Sequence, residues 1–382
     1  MGTGKTQQED FRLAWLRLAR TNRVGARTFA DLIKFIGDPV KALEMLPSMI
    51  KNGGLKSTIQ APSLASIQWE IEKTRKFGGK FIYSCDKEYP NILKQIPDAP
   101  PVIVVKGRVE LLQQKGIAII GARNSSINAN RLANYFSREI SKQYVIISGM
   151  ARGIDSFAHK AGLENGTIGV IAGGINNIYP KENKVLFENL YDQGLIIAEQ
   201  AINSEIHAKH FPQRNRIIAG LALGILVVEA SIRSGTLITC KYAIDYNREV
   251  MAIPGSPLDQ NAQGTNKLIK EGATLVSSPQ DVFNSLNLAD SSQYNIREES
   301  TNYITSKQKL IPPEDDLKIF REKLLSVLSY TEISLNDLTE QLGIPVNVMN
   351  FLLLELELAG NLVRIPGNKV QLIKPEDEFI AF

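Results

Sequence analysis

Lys209 to Gly220 reads KHFPQRNRIIAG, which places an aromatic ring, a proline and the cations Lys209, Arg214 and Arg216 within a few residues. From Ile206 through Val228 no acidic residue interrupts the run, and His207 and His210 lie beside the ring of Phe211. A ring stacks on a flat ligand and a guanidinium holds phosphate or carboxylate, so the stretch suits an anionic ligand with planar parts. A basic groove that tracks phosphates beside a ring that stacks a base is how single-stranded nucleic acid is held, each stacked base being worth roughly 1–3 kcal/mol. The competing reading puts Phe211 in the core and leaves the arginines on an ordinary helix.

Four other stretches carry candidate chemistry. GARNSS, Gly121 to Ser126, follows an apolar run and offers a glycine turn with Arg123 at a helix N-terminus, where amides and a guanidinium can share an anion. It lacks G-x-G-x-x-G, and the next strand ends SGMARG rather than on an acid, which disfavours a nicotinamide or flavin site. In SGMARGIDSFAHKAG the small residues Ser148, Gly149 and Gly153 let amides approach a ligand, and Arg152 adds a second positive charge. Asp155 and His159 lie four apart on one helix face; a structural role outweighs an acid/base pair, because Asp155 suits the first helical turn and no nucleophile is near. IAGGINNIYPKENK brings Gly173, Gly174, Tyr179 and Pro180, and in EASIRSGTLIT the Ser234-Gly235-Thr236 turn reads equally as an anion nest or as a helix cap.

Elements must hold these turns in place. Apolar runs VIVV, GIAII, YVIIS, TIGVIAGG, GLIIA, GILVVEA, EVMAI and ATLVSS alternate with helical segments, the pattern of a parallel sheet covered on both faces. The fold class is therefore α/β, a Rossmann-like domain over residues 81–287, with ligands expected at the carboxyl ends of its strands. Residues 1–80 read as short helices, Phe11–Ala19, Arg27–Phe35 and Pro62–Phe77, with no convincing strand. The glycine turn of NRVGARTFADLIKFIG is similar to SAM and helix-hairpin-helix modules, although a plain bundle fits the turn better, such turns being common between packed helices. Residues 288–315 read as a linker. Residues 316–382 outline a winged helix, whose third helix VNVMNFLLLELELAG has no Lys or Arg and two Glu, so it is expected to bind protein or to pack rather than to read a groove.

Composition sets bounds. The 382 residues carry 44 Lys+Arg against 40 Asp+Glu, a net +4 that allows nucleic acid without demanding it. Cys85 and Cys240 form no C-x-x-C pair, so neither a disulfide framework nor a cysteine zinc site is supported, and no metal or cofactor is expected. No secretory leader and no membrane-spanning run is evident, which predicts a cytoplasmic protein. The GTGKT at Gly2 to Thr6 matches only the tail of a P-loop and lacks its strand.

GARNSS, SGMARGIDSFAH, the GG…YP pair, FPQRNRIIAG, EASIRSGTLIT, the IPG at Ile253 to Gly255 and GTNKLIKEGA resemble, in order and spacing, the DNA processing protein A (DprA/Smf) family. The resemblance spans about residues 80 to 290, and YPNILKQIPDAPPVIVVKG belongs to it as well. It implies binding of incoming single-stranded DNA in natural transformation, loading of the RecA recombinase onto that DNA, a homodimer through the Rossmann-like domain, and no catalytic step. Arg123 matches a DNA-contacting position of the family and Phe211 its stacking aromatic, with Lys209 and Arg214 flanking; Gly121, Ser148, Gly149 and Arg152 complete the expected DNA-binding set. An enzyme of the same fold is the alternative, a lysine-decarboxylase-like phosphoribohydrolase acting on a nucleoside monophosphate. EASIRSGTLIT resembles a degraded form of that family's PGGxGTxxE string, but no PGG precedes the Gly-Thr, and Ile238 and Thr239 stand where the catalytic Glu would be.

Overall fold

The computed structural model describes residues 3–54, 60–293, 314–365 and 367–373. The chain divides into two compact units, one made of residues 70–299 and the other of residues 1–69 together with 300–382. Of the linker expected at 288–315, residues 288–293 instead continue the helix Pro279–Gln293 and 314–315 open the helix Glu314–Val327, while 294–313 lie outside the described residues.

The larger unit holds a nine-stranded sheet of β1 (Lys80–Tyr83), β2 (Val102–Gly107), β3 (Gly116–Ile120), β4 (Val145–Ser148), β5 (Thr167–Gly174), β6 (Leu195–Gln200), β7 (Gly224–Val227), β8 (Glu249–Ala252) and β9 (Thr274–Leu275), in the order β1-β2-β6-β5-β4-β3-β7-β8-β9. The run from β6 to β9 is parallel, while β1 and β2 join antiparallel at one edge. The eight apolar runs named above fall on β2 to β9; β1 and the antiparallel edge were not anticipated. Strands β3, β4, β5 and β7 are buried at every residue, which is why they read as unbroken apolar runs: helices cover both faces. Going outward from β3, the chain builds β4, β5 and β6 on one side and β7, β8 and β9 on the other. This reversal of strand order makes β3 the switch point, where α/β sheets open a crevice at their carboxyl ends.

The second unit is built from both ends of the chain. Its N-terminal part has helices Thr3–Ala19, Ala26–Ile36 and Pro39–Asn52 and the start of Leu64–Lys76. From Thr3 on, the GTGKT string lies in a helix rather than in a phosphate-binding turn. Pro39–Asn52 was not anticipated, although Asp38 caps it, accepting from the amides of Val40 and Lys41, and Pro39 occupies its first position. Its C-terminal part has helices Glu314–Val327, Leu335–Leu342 and Val346–Leu358, the hairpin of β11 (Leu362–Ile365) and β12 (Lys369–Leu372), and the short β10 (Ile333–Ser334) pairing with β12.

The helix Val346–Leu358 occupies the position from which a winged helix reads a DNA groove, yet it is buried along most of its length, from Val348 through Leu358. The N-terminal helices cover it. Phe351 meets Phe35 edge-on at 5.8 Å, a β-carbon on Gly53 would collide with the Glu355 carbonyl, and Asn361 donates to the Gly53 carbonyl at 2.6 Å. Arg23 donates to the carbonyl of Ala359 at the helix C-terminus, where a cation complements the dipole. Arg364 lies between Glu357 and Asp31, and Arg321 grips the buried Glu355 with two bonds of 2.9 and 3.1 Å. The expectation that this helix packs rather than reads a groove is met within the chain itself.

Candidate nucleic-acid interface

Four neighbouring strands, β6, β5, β4 and β3, deliver their carboxyl-end turns to one place. The turn after β3 carries Arg123, that after β4 carries Arg152, that after β5 carries Tyr179, and the helix His210–Leu221 after β6 opens with Phe211. Phe211 is half-buried. Its ring lies 5.8 Å from that of Tyr179 at 58°, and the Arg123 guanidinium sits 5.1 Å from its centroid, within cation–π range. Arg123 and Lys209 are exposed, and neither forms an ion pair among the described residues. Arg152 pairs loosely with Glu182 at 3.7 Å, both well exposed, a contact weak enough for a phosphate to displace.

The turn after β3 is held from two sides. Glu229, buried at the end of β7, accepts from the Ser126 amide at 2.9 Å, and its own carbonyl accepts from Ala122 at 2.8 Å. Thr236 donates its hydroxyl to the Gly121 carbonyl at 3.0 Å, and Ser126 caps the helix Ile127–Ile140. On the other side Ile154 donates its amide to the Ala122 carbonyl at 3.2 Å. Gly153, at φ 71°, must be glycine: a β-carbon there would strike the carbonyls of Ala122 and Arg123. Gly121 is likewise pressed against Glu229 and Ile154, so its smallness serves packing of the turn that aims Arg123.

Three of the residues expected to touch DNA are buried, Arg214 and Gly149 in the wall of the crevice that Arg123, Tyr179 and Phe211 line. Arg214 is only 7% exposed; one terminal nitrogen reaches the carbonyls of Gly149 and Val170, and its Nε donates to Asn215. Burial pushes its guanidinium down to about 10, which leaves it charged at neutral pH. Ser148 is fully buried with its hydroxyl on the Ile119 carbonyl at 2.6 Å. Gly149 is buried, donates its amide to Asp155, and is small because Arg214 and Asp155 close on it from both sides. The reason is common to all three: the charge of Arg214 answers Asp155 and main-chain carbonyls from inside the sheet. Arg216 is buried too, bound to Glu199 and to the Asp98 carbonyl, with Tyr246 holding the Asp98 carboxylate at 2.6 Å.

Asp155 and His159 are structural, as favoured from the sequence. The Asp155 carboxylate accepts from the amides of Gly149 and Ala151, and His159 sits fully buried with Nδ1 2.7 Å from the Thr167 hydroxyl. Burial, with Arg214 nearby, holds the imidazole down at about 3. The residue that sequence reasoning left out of the site is Tyr179, 49% exposed beside Phe211; the YP pair had marked its turn without giving the ring a role.

The profile of the family described as DNA recombination-mediator protein A matches residues 80–287, with a DprA-like N-terminal HHH domain at 9–72 and a DprA winged helix domain at 308–368. The chain belongs to the DNA recombination-mediator protein A family. Among its relatives, the Protein Smf of Synechocystis is 31% identical over 393 residues, covering 95% of this chain and 98% of that one. The DNA processing protein DprA of Streptococcus pneumoniae is 44% identical over 200 residues, covering 52% and 71%. The crystal structure of the Streptococcus pneumoniae DprA matches with a TM-score of 0.61 at 33% identity over 70% of this chain and 95% of that one. A Helicobacter pylori DNA processing protein A, described for its single-stranded DNA binding mode, matches at 0.51 and 27% identity over 56% and 96%. As a member of the DNA recombination-mediator protein A family, the chain has the mostly parallel α/β core with the helical and winged-helix modules expected of it. Among the described residues no helix is long and apolar enough to cross a membrane.

Proposed function

We propose that this protein binds single-stranded DNA across the turns after β3 to β6 and, as a cytoplasmic homodimer, shields the strand and hands it to the RecA recombinase during DNA uptake and recombination. The observation that carries the reading is the half-buried Phe211 ring flanked by Tyr179 and by the unpaired Arg123, with Lys209 exposed beside it. Planar partners take bases and free cations take phosphates. Membership in a family of DNA-processing proteins supports it, as does the Helicobacter pylori relative described for its single-stranded DNA binding mode.

The protein acts here without a catalytic step. The two buried carboxylates behind the crevice are committed: Glu229 to the Ser126 amide, Asp155 to two amides and the Arg214 charge. A phosphoribohydrolase would need one of them free to stabilise an oxocarbenium-like centre. Titration with a single-stranded oligonucleotide, the matching duplex and a nucleoside monophosphate, with product analysis on the last, separates the readings. Tight binding of the single strand and an intact monophosphate are expected; release of a free base overturns the proposal.

A further inference from the structure

The helix Ile127–Ile140 begins directly after the Arg123 turn. Its inner face, with Ala129, Ala133, Phe136 and Ile140, is buried and fixes its orientation. Its outer face presents Ile127, Arg131, Tyr135 and Arg138, spaced by four, four and three residues and hence in one stripe. Tyr135 is 52% exposed and Ile127 73%. Both arginines are exposed without an ion-pair partner among the described residues, and the one carboxylate on the helix, Glu139, is held by Lys142 at 2.8 Å. The Tyr135 ring is braced edge-on by Phe136 at 5.6 Å, so the phenol stands on a rigid support.

We infer that this stripe is a second stretch of the DNA path, on which single-stranded DNA leaving the Phe211 platform stacks a base on Tyr135 and lays phosphates against Arg131 and Arg138. The inference rests on the single-strand reading above. The ligand class follows from the pattern: unpaired guanidiniums bracketing an exposed ring suit a polyanion with accessible planar faces, and a duplex keeps its faces stacked. Continuity supplies the strand, because the stripe starts at the site and runs about 16 Å from it along the helix.

The test uses the full chain and oligothymidylates of about six and about twenty nucleotides, lengths chosen to fill the first platform alone and to overrun it. Tyr135→Ala is expected to leave the short oligonucleotide unaffected and to weaken the long one about five- to tenfold without changing its salt slope, and Tyr135→Phe to bind as the unaltered chain does. Arg131→Gln with Arg138→Gln is expected to reduce the salt slope for the long oligonucleotide by about one to two. Unchanged affinity for the long oligonucleotide overturns the inference, as does an equal loss at both lengths. If the unaltered chain binds neither length, the single-strand reading itself fails, and the extension with it.

Discussion

Arg123 and Phe211 share one contact, and in the proposed function they would contribute different free energies to a bound strand. Arg123→Ala removes one phosphate partner, so affinity should fall and the slope of log affinity against log salt should shrink by about one, read by fluorescence anisotropy between about 50 and 200 mM salt. Phe211→Ala should cost about 1–3 kcal/mol with the slope unchanged, since stacking releases no counterions, and the variant should stay folded because the ring is only half-buried. An unfolded Phe211→Ala protein would assign the ring to the core. The sequence singled out both residues, which the structure brings together, but it did not reveal the burial of Arg214. An acid-free run looks like a cationic surface until the fold brings Asp155, 59 positions away, to the same charge, and nothing local announces that. His159 makes a separate prediction. Its folded value of about 3 lies below the ordinary value, so the unfolded chain binds the extra proton between those values and stability rises with pH there. Below about pH 6.5 stability should fall by about 1.4 kcal/mol per pH unit, and His159→Gln should flatten that fall in urea titrations from pH 7 to 5.

In the proposed function the helix His210–Leu221 serves both ligand and fold. Its first turn presents Phe211, and one turn further in Arg214 ties it to the end of β4 and the middle of β5 through the Gly149 and Val170 carbonyls. Arg214→Ala should leave Asp155 buried beside no cation and cost about 3–5 kcal/mol, seen as a lowered urea midpoint. Loss of DNA affinity with no loss of stability would mean that Arg214 reaches the strand. At this scale the sequence was most informative where burial is complete: both-sided burial turns β3, β4, β5 and β7 into continuous apolar runs whose positions need no tertiary knowledge. It was least informative where local signals conflict. Pro47 inside Pro39–Asn52 hides a helix that Asp38 and Pro39 otherwise announce, and the four residues KFIY of β1 are too few to show a period.

The molecule as a whole is one sheet unit with its own core and one helical unit whose core is shared between the two ends of the chain. The winged-helix module was visible from its helix and hairpin patterns; its partner was not, since no residue near Phe351 in sequence points to Phe35. A fragment of residues 64–293 should therefore unfold cooperatively by circular dichroism. Residues 314–373 alone should not, because the apolar face of Val346–Leu358 would be left to solvent. Cooperative melting of the C-terminal fragment would show that the N-terminal helices are dispensable to it.

A unit closed by both ends of its chain also sets an order on synthesis. Phe35 and the neighbouring helices leave the ribosome about 300 residues ahead of Phe351, a wait of about 15–60 s at ordinary elongation rates. Throughout that interval the sheet can close on contacts it already holds, while an apolar surface at the amino terminus stays without its cover. The first module of the nascent protein is thus completed only by its last, and a ribosome that stops early releases a sheet whose amino-terminal helices still lack their apolar cover.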